Sequence, residues 1–381
     1  LYKITVLTSS RADYSIYRPL LKVLQEHPEI NLQIIAFGTH TSNDFGYTID
    51  AIRADEFQIE VQVPCILDGI SPFSIAQSIA KTVEQFSVVW KKMNTDLIIC
   101  LGDRYEMFSA VTASVPFSIP VAHIHGGETT LGAIDNIFRH SLTHMSRLHF
   151  TSTEAYRQRV IALTGSPNYV FNTGALSIDN LQSLNLLTIT EFRKQFGVDL
   201  GRPTLLTTFH PETVSFNRNE EYGKILADSL DELSDQFQVL ITMPNADTMG
   251  NVIRKALQAL VARNKEKMFA FENLGTIGYL SAMKHCAMLV GNTSSGFVEA
   301  SYFPKWVVNL GCRQEGRLLT ENIWTIAIER SEIINTVKKL SQMKVPSLMQ
   351  PYGKGSAAIE ITKHVLEFLE SNKSYKQQAT L

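Results

Sequence analysis

Carboxylates, imidazoles and guanidinium groups crowd the stretch from Asp96 to His140, DLIICLGDRYEMFSAVTASVPFSIPVAHIHGGETTLGAIDNIFRH. The apolar run Leu97–Leu101 stops at Gly102-Asp103-Arg104-Tyr105-Glu106. A second apolar run stops at His123-Ile124-His125-Gly126-Gly127-Glu128, and Asp135, Arg139 and His140 follow. Three acids beside three histidines would be costly as a purely structural cluster if buried. Carboxylates driven to different pKa values by their surroundings are what general acid–base catalysis needs. Plainer readings stand beside this one. Asp103 could N-cap a helix beginning at Arg104, and Asp135 could do the same for Asn136–Arg139. No H-E-x-x-H spacing occurs, although His123, His125 and Glu128 together could ligate a metal.

A second group lies further on. Gly291-Asn292-Thr293-Ser294-Ser295-Gly296 reads as a turn from strand to helix, and such a turn offers backbone N–H groups at a positive dipole end to a phosphate. Ser294 and Ser295 add hydroxyl donors, and Glu299, one turn into the expected helix, could accept from a ribose diol. The plain alternative is an ordinary helix cap. Arg313 and Arg317, beyond the next strand, favour an anion. His210 ends another apolar run, with Pro211 stopping the strand and Glu212 beside it. A satisfied structural histidine and a catalytic or phosphate-contacting one both fit. Asn245 and Asp247 can cap the next helix or meet a ligand. Arg11 sits in the first strand-to-helix turn, either as surface decoration or reaching for a phosphate.

The elements that must position these groups alternate as strand and helix, twice over. Strands are expected at Lys3–Thr8, Leu32–Phe37, Ile59–Val63, Asp96–Leu101, Leu148–Thr151 and Tyr169–Phe171, with helices at Tyr14–Glu26 and Ser74–Met93. The alternation restarts at Thr204–Phe209. Strands at Phe237–Met243, Met268–Phe271, Ala287–Val290 and Trp306–Leu310 follow, with helices at Glu220–Leu233, Thr248–Arg263 and Ile277–His285. A last helix, near Ser356–Glu370, precedes a polar tail expected to be loose. The pattern implies an α/β chain of two similar domains facing each other across a cleft, and ligands in such sheets bind beyond the carboxyl ends of the strands. No G-x-G-x-x-G dinucleotide fingerprint is present.

At 381 residues two domains are the natural expectation. A net charge of −2 argues against a nucleic-acid surface. The four cysteines, Cys65, Cys100, Cys286 and Cys312, form no C-x-x-C and read as free thiols rather than a disulfide or zinc framework. The chain opens on a strand-like run without the apolar core of a signal peptide, and no run of about 18 apolar residues would span a membrane. A cytoplasmic protein is the expectation.

The ordered motifs S-R-A-D-Y, L-G-D-R-Y-E, H-I-H-G-G-E, I-D-N-x-x-R-H, F-H-P-E-T, P-N-A-D, G-N-T-S-S-G and N-L-G-x-R-Q-x-G-R span Ser10 to Arg317. Together they resemble the hydrolysing UDP-N-acetylglucosamine 2-epimerases, and within them the bacterial branch feeding sialic-acid-type nonulosonate synthesis. The resemblance implies a glycosyltransferase-B-like fold of two Rossmann-like domains. These would cover residues 1–176, on the sugar side, and 177–355, on the UDP side, with 356–381 forming a helix that returns to the first domain. It implies a homodimer or homotetramer, a UDP-sugar as the only partner, and no metal or nicotinamide cofactor.

The implied reaction converts UDP-GlcNAc and water to N-acetylmannosamine and UDP through a 2-acetamidoglucal. The same reaction on UDP-2,4-diacetamido-2,4,6-trideoxyglucose, on the legionaminic acid route, is the alternative. A sugar-nucleotide sensor or a glycosyltransferase of the same fold are alternatives of other classes, and the joint presence of Asp103 and Asp135 speaks for the epimerase. By position, Asp103 and Asp135 match acids of the acid–base steps, and His210 matches a histidine near the diphosphate. Arg11, Ser15 and Arg104 match nucleotide and sugar contacts. Thr293, Ser294 and Glu299 match the diphosphate and ribose site, Leu274 a uracil contact, and Arg313 a residue closing over the phosphates. Arg139, Asn245 and Ser295 complete the substrate-binding candidates. Two departures stand out. His125 replaces a glutamate assigned to catalysis in several branches, with one extra residue before Asp135, so either His125 or Glu128 takes that job. Trp306 stands where a proline is more usual, with Pro304 just upstream.

Overall fold

The structure, a computed structural model, describes residues 1–42, 47–65, 71–129, 134–212, 216–244, 250–345, 347 and 350–378. The chain forms two compact units. The first holds Leu1–Glu128, Asp135–Gln182 and Tyr352–Leu381; the second holds Thr129–Ile134 and Ser183–Pro351.

The first unit is built on seven parallel strands: β1 (Tyr2–Thr8), β2 (Ile30–Phe37), β3 (Ile59–Val63), β4 (Leu97–Leu101), β5 (Val121–Ile124), β6 (Leu148–Thr151) and β7 (Val170–Asn172). Their order is β3-β2-β1-β4-β5-β6-β7. The second unit holds β8 (Thr204–Thr208), β9 (Gln238–Thr242), β10 (Met268–Phe271), β11 (Met288–Gly291), β12 (Trp306–Leu310) and β13 (Ile323–Ile326), in the order β10-β9-β8-β11-β12-β13. Both sheets therefore reverse their winding once, between β1 and β4 and between β8 and β11. Ligands of doubly wound sheets bind at that reversal, beyond the carboxyl ends of the strands.

The sequence dictates this layering through its burial pattern. All five residues of β4 are buried, as expected of a parallel strand covered on both faces. Leu97, Ile99 and Leu101 face one layer with Tyr14, Leu20, Leu21 and Leu24 of the helix Arg11–Glu26, joined there by Ile361, Val365 and Phe368 of the C-terminal helix. Ile98 and Cys100 face the other layer, with Phe86 and Trp90 of the helix Pro72–Lys92. Each buried leucine or isoleucine contributes about 1.5–3 kcal/mol. The second sheet is sandwiched in the same way.

Three local devices hold the first unit near its strand ends. Ser10 caps the helix Arg11–Glu26 in a capping box with Asp13. The Asp13 carboxylate, buried, also accepts from Thr8 Oγ1 at 2.7 Å, Ser9 N at 2.8 Å and Ser10 N at 3.0 Å. Pro19, inside this helix, has no N–H to offer the Ser15 carbonyl. Asn180 Nδ2 fills that vacancy at 2.7 Å, fastening the helix Leu176–Ser183 to the first unit. Asp179 then receives the N–H groups of Ala357 and Ala358 at 3.1 and 2.7 Å and starts the C-terminal helix.

Several expectations are corrected. Glu299 is not on an α-helix: Ser294–Gly296 and Glu299–Tyr302 are separate 3-10 turns. Glycine and serine are poor helix formers and Pro304 blocks any continuation, so the dipole argument for a phosphate loses most of its force there. The C-terminal helix runs on to Gln378, where a loose tail was expected. The short edge strand β13 and the helix Arg330–Ser341 escaped the sequence reading. Among the described residues no helix is long and apolar enough to cross a membrane. Cys65, Cys100 and Cys286 are buried free thiols and Cys312 an exposed one.

Candidate active site

At the carboxyl ends of β4 and β5 four of the expected residues meet in one network. Arg139, on the helix Asp135–Met145, is 3% exposed. Its Nη2 donates to Asp103 Oδ2, its Nη1 donates to the His125 carbonyl at 2.8 Å, and Nη1 lies 3.7 Å from Glu128 Oε2. Glu128, 2% exposed, holds His125 Nδ1 at 3.0 Å through Oε1, and the same oxygen accepts from Ser152 Oγ at 3.0 Å. Asp103 is not a helix cap: the cap position of Tyr105–Ser114 is Arg104, and the Asp103 side chain turns instead to Arg139. Asp135 is the first residue of its helix, half-buried, one turn before Arg139 and hence on the same face.

The backbone of H-I-H-G-G-E explains its glycines. His125 itself sits at φ +66°, a left-handed conformation that costs a non-glycine residue free energy. Gly127 has φ +79°, and a Cβ there would lie 2.4 Å from the Tyr156 carbonyl. The chain therefore turns back sharply enough for Glu128 to reach the ring of His125.

His123 does a different job. Its Nε2 faces the Gly102 carbonyl at 2.8 Å and its Nδ1 faces Thr143 Oγ1 at 3.2 Å. A carbonyl only accepts, so Nε2 carries the proton and both nitrogens are occupied. The notion of a metal held by His123, His125 and Glu128 gains no support: among the described residues no group of three or more His, Cys, Asp or Glu is placed to hold an ion. Burial holds the His123 pKa down at about 3, and burial likewise lowers His149, its partner across β5 and β6, to about 4. Both histidines are neutral when folded but protonate near pH 6.5 when unfolded. Stability is therefore full above pH 6.5 and falls as the pH drops towards the folded values. Between pH 7 and pH 5 urea denaturation should show a loss of about 2 kcal/mol for each of these two histidines, and His149→Gln should remove the share due to His149.

The remaining first-unit candidates are close to the strand ends but engaged differently. Arg104 forks onto the fully buried Glu106, at 3.2 and 2.8 Å. Arg11 is exposed in the first turn of its helix, and the Ser15 hydroxyl donates to the Arg11 carbonyl at 2.8 Å.

In the second unit the site is built at the β8/β11 reversal. His210 N donates to Asn292 Oδ1 at 2.7 Å, and Asn292 Nδ2 returns a bond to the His210 carbonyl at 2.8 Å. Asn292 is fully buried and clamps the two strand ends together, a role its sequence position alone did not announce. Glu212 does not share chemistry with His210. Its buried carboxylate accepts Arg313 N at 3.1 Å and the Cys312 thiol at 3.2 Å, bracing the loop after β12. Partial desolvation of the sulfur, together with that carboxylate, pushes the Cys312 thiol up to about 11. Gln314 Nε2 reaches the Asn292 carbonyl at 2.8 Å and its Oε1 accepts from Arg317 Nε at 2.6 Å, so both expected arginines belong to one braced loop.

Ser295 bonds to Tyr279 at 2.6 Å and to Thr293 at 3.2 Å, leaving Ser294 the exposed hydroxyl. Leu274, the expected uracil contact, is buried in the core. Asn245, with Ala246 and Asp247, lies outside the described residues, as does Thr213.

Acid–base groups at one switch point and a hydroxyl- and arginine-lined loop at another match a sugar-nucleotide enzyme of two Rossmann-like domains. A family profile described as UDP-N-acetylglucosamine 2-epimerase matches residues 22–366. The chain belongs to that family. As a UDP-sugar 2-epimerase it bears out the resemblance carried by its motifs. It is 36% identical over 321 residues to the hydrolysing GDP/UDP-N,N'-diacetylbacillosamine 2-epimerase of Campylobacter jejuni, covering 84% of this chain and 83% of the relative. It is 34% identical over 380 residues to the polysialic acid biosynthesis protein P7 of Escherichia coli, covering 98% and 96%. The crystal structure of the Neisseria meningitidis UDP-GlcNAc 2-epimerase bound to UDP-GlcNAc superposes with a TM-score of 0.82 at 19% identity, over 96% of this chain and 100% of that one. That likeness bears out the two-domain α/β fold.

Proposed function

We propose that this epimerase is a hydrolysing one acting on a UDP-2-acetamido sugar. The carrying observation is the largely buried network Asp103–Arg139–Glu128–His125 in a chain of this family, since elimination and hydration need proton carriers at C2. In the reaction the C2 proton is removed, its electron pair forms the C1–C2 double bond, and UDP leaves C1 with the C1–O pair. Water then adds its oxygen to C1 while C2 regains a proton from the opposite face. The first unit would supply the acid–base groups, with Asp103 and Asp135 among them. In the second unit His210, Thr293, Ser294, Glu299 and Arg313 would hold the UDP and help it carry charge as it leaves. The enzyme would work in the cytoplasm as a homodimer or homotetramer, without metal or nicotinamide.

The names of two relatives, from Campylobacter jejuni and Legionella pneumophila, favour UDP-N,N'-diacetylbacillosamine as the sugar. The motifs alone favour UDP-GlcNAc. Incubation with each UDP-sugar in D2O, without metal or acceptor, tests both readings. UDP release with one deuteron at C2 of the free 2-epimer is expected, faster from the diacetamido sugar. UDP release without deuterium would leave simple hydrolysis, and no release from either sugar would overturn the proposal. In the same assay Asp103→Asn and Asp135→Asn should each slow release about 100-fold or more.

A further inference from the structure

The choice between His125 and Glu128 was open in the sequence, and their contact closes it. The structure assigns the proton transfer to His125 Nε2 and makes Glu128 its positioning carboxylate, an inference that rests on the hydrolysing-epimerase reading.

Four observations carry this. First, Glu128 Oε1 meets His125 Nδ1 at 3.0 Å. A carboxylate only accepts, so the neutral ring carries its proton on Nδ1 and keeps a lone pair on Nε2. Second, Nε2 is buried and has no hydrogen-bond partner among the described residues. A buried nitrogen left unpaired costs free energy, and its lone pair is committed to no described group. Third, the backbone at His125 is held left-handed, φ +66°, by the His125 N–H donating to the Phe150 carbonyl at 2.8 Å and by Arg139 on its own carbonyl at 2.8 Å. Strain retained in a residue that glycine would relieve points to a side chain that must be there. Fourth, Glu128 is itself held on both oxygens, by Ser152 on Oε1 and beside the Arg139 guanidinium on Oε2.

The arrangement is that of a base oriented by an acid which never takes its proton. His125 Nε2 removes the C2 proton, and the pair left on C2 forms the double bond as UDP departs. Glu128 balances the imidazolium that results, and His125 discharges its proton to solvent after the glycal is hydrated. Among the described residues, Arg139 sits on the His125 carbonyl with Asp103 beyond it, and the neutral His123 stands two residues back, in the strand that ends at Ile124. Glu128 therefore supplies the negative charge in contact with the ring. It is held by Ser152 and lies beside Arg139, and on this reading it touches no substrate.

The test joins kinetics to spectroscopy on the intact enzyme. Glu128→Gln should lower kcat about 100-fold with KM changed less than about threefold. The acid limb of its kcat/KM profile should move to lower pH, because the imidazolium has lost its counter-charge. Glu128→Asp should recover part of the rate. In the Glu128→Gln/His125→Gln double variant the loss should match that of His125→Gln alone, the mark of residues acting as a unit. Thermal melts confirm that each variant is folded. A Glu128→Gln enzyme with an unmoved pH profile, or losses that multiply in the double variant, would overturn the assignment. Independently of turnover, 15N NMR of the histidine-labelled wild type at pH 8 should show His125 protonated at Nδ1; protonation at Nε2 would overturn it too. An Nδ1–H signal in a protein that releases UDP from no UDP-sugar would uphold the dyad and sink the reaction instead.

Discussion

Arg139→Met is expected to cost about 3–5 kcal/mol of stability at pH 7 and to abolish measurable UDP release. The guanidinium is the counter-ion of two carboxylates and also donates to the His125 carbonyl. Asp103, with a side chain 23% exposed, can recruit water when Arg139 is gone. Glu128 cannot, being buried, and taking the cation from beside a buried carboxylate is what makes breaking such a network expensive. The deficit should shrink as the pH falls, because protonating the stranded carboxylate removes the buried charge. Arg139→Lys separates the two roles. It keeps the charge but loses the planar fork that reaches Asp103, Glu128 and the His125 carbonyl at once. A smaller stability loss, about 1–2 kcal/mol, should accompany a fall in kcat of about 100-fold. Urea denaturation and UDP release measure the two effects separately. A Met variant as stable as wild type would mean that the three contacts carry no net energy.

Gly291→Ala should be the most damaging small substitution in the second unit. A Cβ built there lies 2.0 Å from the Thr208 carbonyl oxygen and 2.8 Å from its carbon. Those are backbone atoms of the neighbouring strand, paired in register with Gly291, so no side chain can swing aside. That same carbonyl accepts Asn292 N at 3.1 Å. Parting β8 from β11 would break this bond and loosen the Asn292–His210 clamp immediately beyond it. A loss of about 3 kcal/mol is expected, together with UDP affinity weakened at least about tenfold by calorimetry. Asn292→Ala, which opens the clamp without the clash, should weaken UDP binding with a smaller stability cost. Normal UDP affinity in both variants would detach the β8/β11 reversal from nucleotide binding.

Sequence alone determined most of the strands and the repetition of strand and helix. Runs such as Leu97–Leu101 and Met268–Phe271 are apolar throughout and bounded by polar or glycine residues, so strand identity is local information. The family is legible for a related reason: motif residues sit at strand ends, and strand ends are spaced along the chain by the alternation itself. What failed locally failed for local reasons. The Ser294–Tyr302 stretch resembles a helix start in composition, but its glycine, its serines and Pro304 limit it to 3-10 turns.

Only the tertiary structure decided which polar residues work together. Ser152 is 24 positions from Glu128, Asn292 is 82 from His210, and Glu212 is 101 from Arg313. Parallel strands bring their carboxyl ends side by side whatever the length of chain between them, and no spacing rule encodes that meeting. The same is true of the pairing inside H-I-H-G-G-E. His125 and Glu128 are only three residues apart, but whether they compete or cooperate depends on the left-handed turn at His125 and Gly127. That turn swings the carboxylate onto Nδ1 and leaves Nε2 without a partner.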